Sequence, residues 1–184
     1  MKGYFGIGVE RVSKSLNVGA LLRTAHAFGA SFVFTVAAQY RRGDSHADTS
    51  DTPGHVPLYE FPTIEELRLP RGCKLVGVEI AEQAVALPSF HHPRQAAYVL
   101  GAEREGLSPA LQGLCDYVVK IPTQFSLNLA VTGALIMYDR MLALGRFPAR
   151  PLSETGIAQP LPAHRFGEPI YMRKHRRKAA AKKP

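Results

Sequence analysis

The chain has 184 residues, 46% of them hydrophobic, which is enough for one domain with a sizeable core and excludes a largely disordered chain. Its formal charge of +8 is unevenly placed: residues 173–184 hold seven Lys or Arg and no acid, leaving 16 basic against 15 acidic residues before them. Two distant cysteines, Cys73 and Cys115, lie outside any Cys/His cluster, so neither a disulfide framework nor a metal site is expected.

The first elements, in chain order, read as a strand–helix–strand unit. YFGIGVERV (4–12) is a buried strand, NVGALLRTAHAFGA (17–30) a helix ending near Gly29, and SFVFTVAA (31–38) a second apolar strand. Residues 39–56 are polar and rich in Gly, Pro, Ser and Asp, and predict a long loop. A short strand (57–61) and a short helix over TIEELRL (63–69), capped by Thr63, should follow. CKLVGVEI (73–80), AAYVLGAE (96–103) and YVVKI (117–121) predict further strands, with a short helix over SPALQGLC (108–115) before the last. The segment 126–147 is apolar almost all round, which predicts a helix covered by its own sheet and by a second subunit. Residues 148–170 are rich in proline and lead into the basic tail. The pattern predicts an α/β domain with a mainly parallel sheet flanked by helices. Its folded part should be residues 1–147, with an arm and tail over 148–184. The longest apolar stretch is too short to span a bilayer and the N-terminus shows no secretion signal. A cytoplasmic protein with no membrane partner is the expectation. The tail suits a polyanion, nucleic acid first and an anionic membrane second, or serves only solubility.

In parallel sheets, ligands sit beyond the carboxyl ends of the strands. Three loops there draw attention: 13–17, 101–107 and 121–126. On the first helix Val18, Leu21, Leu22, Ala25 and Phe28 form the core stripe. Arg23 falls opposite, among Gly19, Ala20, His26 and Ala27, a small-residue face that suggests crowded surroundings. A solvated surface arginine is the plainer alternative. In GAEREGLSP, Gly101 and Gly106 surround Glu103, which caps its loop or pairs with Arg23; exposed charges on a turn explain it equally. The spacing fits neither a dinucleotide fingerprint nor a P-loop. In IPTQFSLNLAV, Ser126 is the candidate helix cap, and Asn128 sits just inside, its amide facing the cleft. His91 and His92 read as solvated loop residues.

NVGALLRTAHAFGA, YVLGAEREGLSP and IPTQFSLNLAVTGALIMYD, in this order and at this spacing, resemble the three motifs of the SpoU/TrmH-type RNA ribose methyltransferases of the SPOUT superfamily. The resemblance covers residues 4 to about 147. It implies a C-terminal deep trefoil knot, a homodimer, bound S-adenosylmethionine, and methyl transfer to a ribose 2′-oxygen of tRNA or rRNA. Position by position it implies catalytic roles for Asn17, Arg23, Glu103, Ser126 and Asn128. It implies cofactor contacts from Val78, Glu79, Leu100, Gly101, Gly106, Ile121, Ser126 and Leu127. Arg23 would grip the phosphate beside the target ribose, since a guanidinium is effectively always protonated and cannot serve as a base. Further RNA contacts fall to Arg41 and Arg42 in the long loop and to Arg173, Lys174, Arg176 and Arg177 in the tail. Only TQF separates Ile121–Pro122 from Ser126–Leu127–Asn128, a shorter third loop than in many relatives. A catalytically inactive RNA-binding protein of the same fold, or an unrelated α/β enzyme using a nucleotide cofactor, are the competing expectations.

Overall fold

A computed structural model describes residues 3–39, 55–102, 105–145 and 147. Seven strands form one fully parallel sheet: β1 (Tyr4–Glu10), β2 (Phe32–Val36), β3 (Leu58–Phe61), β4 (Lys74–Val78), β5 (Val85–Ala86), β6 (Gln95–Leu100) and β7 (Tyr117–Lys120). Their order is β3-β2-β1-β6-β4-β7-β5. From β1 the chain steps outward through β2 and β3, then builds β4 to β7 on the other side. Strand order therefore reverses between β1 and β6, the place where such sheets bind ligands. Register aligns the strand ends: Val9 pairs with Leu100, Leu100 with Val78, and Val78 with Val119. Glu10, Gly101, Glu79 and Lys120 thus leave the sheet along one edge.

Side chains alternate across the sheet as strand geometry requires. Ile7, Val9, Val76, Val78, Tyr98 and Leu100 face one cluster; Leu75, Ala97 and Val99 face the other. Helices α1 (Ser15–Phe28) and α3 (Leu129–Leu144) pack together over the first face. Helix α2 (Pro109–Leu114), capped by Ser108, lies over the second through Leu111. On β1, Gly6 and Gly8 leave room for the rings of Phe32 and Phe34, which a Cβ would strike at 2.2 and 2.6 Å. Helix α1 stops at Gly29, which takes the left-handed conformation (φ 72°) that ends a helix without Cβ strain.

Two expectations, on the segment 63–69 and on His92, are corrected, and an unforeseen strand appears. The segment 63–69 is not helical. It is flanked by Pro62 and Pro70, and so short a helix repays its nucleation only by packing; here Ile64, Leu67 and Leu69 pack from irregular backbone instead. The pair Val85–Ala86 adds an edge strand that periodicity is too short to show, followed by a single 3-10 turn at Leu87–Ser89. Helix α3 leaves Val131, Leu135, Tyr138 and Leu142 exposed along one side, the side for which the sequence predicts a second subunit. His92 is buried rather than solvated. Its Nδ1 lies 2.7 Å from the Tyr98 hydroxyl and its Nε2 2.9 Å from Asp139. Arg140 completes this cluster, donating to Tyr98 Oη and to the carbonyls of Tyr4, Pro93 and Arg94. Buried polar groups must find such partners, and no local pattern announces which.

Candidate functional site

Two cavities lie side by side on the carboxyl edge. The first, about 300 Å³, opens between the ends of β4, β6 and β7. Its wall contains Val78, Glu79, Leu100, Gly101, Gly106, Ile121, Ser126 and Leu127, all of the cofactor contacts expected from the resemblance. Ile80, Ala102, Thr123, Leu129 and Thr132 complete it. The second, about 360 Å³, is lined by Arg11, Val12, Ser13, Lys14, Asn17, Gln39 and Glu105, and shares Ala102 and Leu129 with the first.

The turn after β6 is held against the sheet by carboxylates. Glu79 accepts the Leu107 N–H at 2.6 Å and the Ile80 N–H at 2.8 Å. Glu10, fully buried, accepts the Ser108 N–H at 2.7 Å and its hydroxyl at 2.5 Å. Both acids therefore shape backbone. Gly101 and Gly106 are required by close approach: a Cβ at Gly101 would meet the Gly106 carbonyl carbon at 2.0 Å, and one at Gly106 would meet Glu79 at 2.3 Å. Gly106 also has a φ of 64°, a region costly for other residues. The third loop is compact, with Thr123 Oγ1 donating to the Phe125 carbonyl at 2.9 Å. Lys120, at the end of β7, donates to the carbonyls of Ala81 and Glu82 and fixes the loop beside Ile80.

Asn128, not Ser126, caps α3: its Oδ1 accepts the N–H groups of Ala130 and Val131. A cap lies one residue before the first helical position, and the helix starts at Leu129 rather than Ser126. Ser126 is thereby released to the cavity wall, while the Asn128 amide is spent on capping and lines neither cavity. Arg23 is exposed on α1 and also lines neither cavity, so among the described residues the crowded surroundings expected of it are absent; Gly19 is buried rather than beside it. Glu103, Arg41, Arg42 and the tail residues Arg173, Lys174, Arg176 and Arg177 lie outside the described residues. Burial raises the thiol of Cys73 and pushes that of Cys115 up to about 11, so neither is a poised nucleophile. Among the described residues no group of three or more His, Cys, Asp or Glu is placed to hold a metal, and no helix is long and apolar enough to cross a membrane.

The residues that sequence reasoning missed are those at and just past the end of β1: Glu10, Arg11 and Lys14. Their signal was positional, since Glu10 and Arg11 lie just before, and Lys14 within, a loop already singled out at a strand end.

A parallel, doubly wound sheet with a glycine-walled cavity beside its strand-order reversal defines an α/β domain that takes a small ligand at its carboxyl edge. Residues 5–138 match the SpoU rRNA Methylase family, and the chain belongs to that family. It is 32% identical over 146 residues to the tRNA (guanosine(18)-2′-O)-methyltransferase TARBP1 of Mus musculus, covering 73% of this chain and 9% of that protein. It is 28% identical over 148 residues to the 23S rRNA (guanosine-2′-O-)-methyltransferase RlmB of Acinetobacter baylyi, covering 72% of this chain and 57% of that one. The chain thus spans little more than half of the bacterial relative and a small part of the mouse one. Its fold is similar to the SpoU methyltransferase AviRb from Streptomyces viridochromogenes in complex with the cofactor AdoMet. There the TM-score is 0.67 at 25% identity, covering 77% of this chain and 58% of that chain.

Proposed function

We propose that this protein transfers a methyl group from S-adenosylmethionine to a ribose 2′-oxygen of tRNA or rRNA. The observation that carries this reading is the first cavity, where three strand ends and the turns after them meet around a wall of apolar side chains, hydroxyls and glycine backbone. That wall fits the cofactor. Val78, Leu100, Ile121 and Leu129 offer apolar surface for a flat base, and Ser126, Thr123 and Thr132 offer hydroxyls. Gly101 and Gly106 keep side chains out of the space between the turns. The bound cofactor would supply an activated sulfonium methyl, so the protein is left to align the acceptor oxygen and stabilise its developing charge.

In this reading Asn17, in the adjoining cavity, orients the acceptor ribose. Arg23 grips the neighbouring phosphate from the exposed side of α1 with a two-pronged, permanently charged group. Glu103 is assigned the role of the second motif's acidic residue. Asn128 acts as a positioning residue that starts α3 and so places Ser126 and Leu127 in the wall. Residues 1–147 form the methyltransferase domain, and the arm and tail of 148–184 add affinity without sequence preference, together with Arg41 and Arg42. The proposal includes the knotted chain path, a cytoplasmic location and a homodimer. Support for the dimer comes from the exposed stripe Val131, Leu135, Tyr138 and Leu142, whose 4-3-4 spacing keeps it on one face of α3.

The test is titration with S-adenosylmethionine, followed by incubation with the labelled cofactor and RNA from cells lacking the protein. Saturable binding, and label recovered as a 2′-O-methylated nucleoside, are expected. Absence of cofactor binding, or binding without transfer to any RNA fraction, would refute the methyltransferase reading and favour the inactive RNA-binding alternative.

A further inference from the structure

At the end of β1 the chain turns through Arg11, whose φ of 51° places it in the left-handed region. Its own N–H donates to the Val36 carbonyl at 2.8 Å, so the strained backbone is anchored and the side chain has a set direction. Nη1 lies 2.9 Å from Oε2 of Glu105, and Nη2 donates to the Gly106 carbonyl at 3.2 Å. Nε is buried without a hydrogen-bond partner, 3.9 Å from Oε1 of Glu10. Gly106 is part of the first cavity's wall; Arg11 and Glu105 are part of the second's. One guanidinium therefore touches both.

The two carboxylates near Arg11 differ in kind. Glu10 is fully buried and committed to Ser108. The Glu105 side chain is 65% exposed, and an ion pair so open to water is weak and readily exchanged for another anion. A phosphate diester presents a guanidinium with the same charge and paired oxygens as a carboxylate. The cavity wall also carries Lys14, a second cation.

We propose that Arg11 is a phosphate-receiving positioning residue whose resting counter-ion is Glu105. An RNA phosphate entering the second cavity takes the place of Glu105 on Nη1, while Nη2 keeps its hold on the Gly106 carbonyl. Seating of RNA and the shape of the neighbouring wall are thereby tied through one side chain. The choice of RNA as occupant rests on the methyltransferase reading above.

The experiment compares Glu105→Gln, Arg11→Met and the double variant in the full chain. It reads binding of bulk tRNA across a salt series, S-adenosylmethionine affinity by calorimetry, and melting temperature. Glu105→Gln should bind tRNA several-fold more tightly and leave cofactor affinity unchanged. Arg11→Met should bind tRNA several-fold more weakly, with a log–log salt slope shallower by a little under about 1, the value of one phosphate contact. It should also weaken cofactor binding, because the Gly106 carbonyl loses its donor. In the Arg11→Met background, Glu105→Gln should change tRNA affinity little.

Two results would overturn the proposal. One is a merely structural pair, in which both single variants lower the melting temperature and neither shifts tRNA binding. The other is an equal gain from Glu105→Gln with and without Arg11, which would mark only the loss of a repelling charge. Failure of the wild-type chain to bind S-adenosylmethionine would count against the enzyme reading instead, and the tRNA measurements would still judge Arg11.

Discussion

Replacing Gly101 with alanine tests whether the first cavity depends on backbone lying against backbone. The new Cβ would sit 2.0 Å from the Gly106 carbonyl carbon and 2.2 Å from the Leu107 nitrogen. Ordinary contact begins near 3.4 Å, so the end of β6 and the returning turn must separate by about 1.4 Å, and both colliding atoms are main chain, with no rotamer to absorb the shift. That separation strains the Gly106 N–H to Ala102 carbonyl bond (2.9 Å) and the Leu107 N–H to Glu79 bond (2.6 Å). The first contributes about 1 kcal/mol net and the second, to an acidic acceptor, about 2 kcal/mol. Gly101→Ala should therefore lower stability by about 3 kcal/mol, a large share of the usual margin of 5–15 kcal/mol. S-adenosylmethionine affinity should fall at least about tenfold, since 1.4 kcal/mol of lost binding is sufficient for that. Urea unfolding and calorimetric titration measure the two effects. Gly113→Ala is the control: it lies in α2 with nothing within 4 Å of the added methyl, and should stabilise by up to about 1 kcal/mol through helix propensity. Wild-type stability and cofactor affinity in Gly101→Ala would refute the account of this wall.

Arg23→Lys should retain cofactor affinity, because the residue is exposed and outside both cavities, and should lose at least tenfold in turnover; near-normal methylation of the RNA substrate would remove Arg23 from the reaction. Burial lowers the pKa of His92 below its ordinary 6.5, against the opposing pull of Asp139. The unfolded chain then binds the proton first, so stability is full above about pH 6.5 and declines as pH falls through and below that value. Urea midpoints between pH 5 and 8 should show this slope, and His92→Gln should flatten it; an unchanged slope in the variant would assign the decline to other groups. Leu135→Glu places a charge in the exposed stripe of α3 and should convert a dimer to a monomer in sedimentation velocity with little change in melting temperature. A wild-type chain that sediments as a monomer would refute the dimer.

The alternation of apolar strands with helices, and the placement of the three loops at strand ends, could be read from the chain because both rest on local rules. A strand buried on two faces is apolar along most of its length, as 5–9 and 32–36 are; a helix ending in glycine announces its stop, as Gly29 does. The individual residues expected in the wall of the first cavity were named through the family resemblance, while local rules alone placed only their loops at strand ends. The sequence could not reveal what depends on distant partners. Helix α3 begins at Leu129, capped by Asn128 rather than Ser126, because the side chain that satisfies its first N–H groups is settled by where the preceding loop lands. The segment 63–69 stays irregular because packing of Ile64, Leu67 and Leu69 outweighs weak helix propensity in seven residues. His92 looks like any loop histidine until Tyr98 and Asp139, from a strand and a helix, arrive on its two nitrogens. Arg11 gains its meaning only when the β6 turn brings Glu105 and Gly106 across 95 residues of chain. Local propensity and burial period determine which elements form. Pairings of polar groups far apart in sequence exist only once the sheet has set their positions, and the tertiary structure alone decides them.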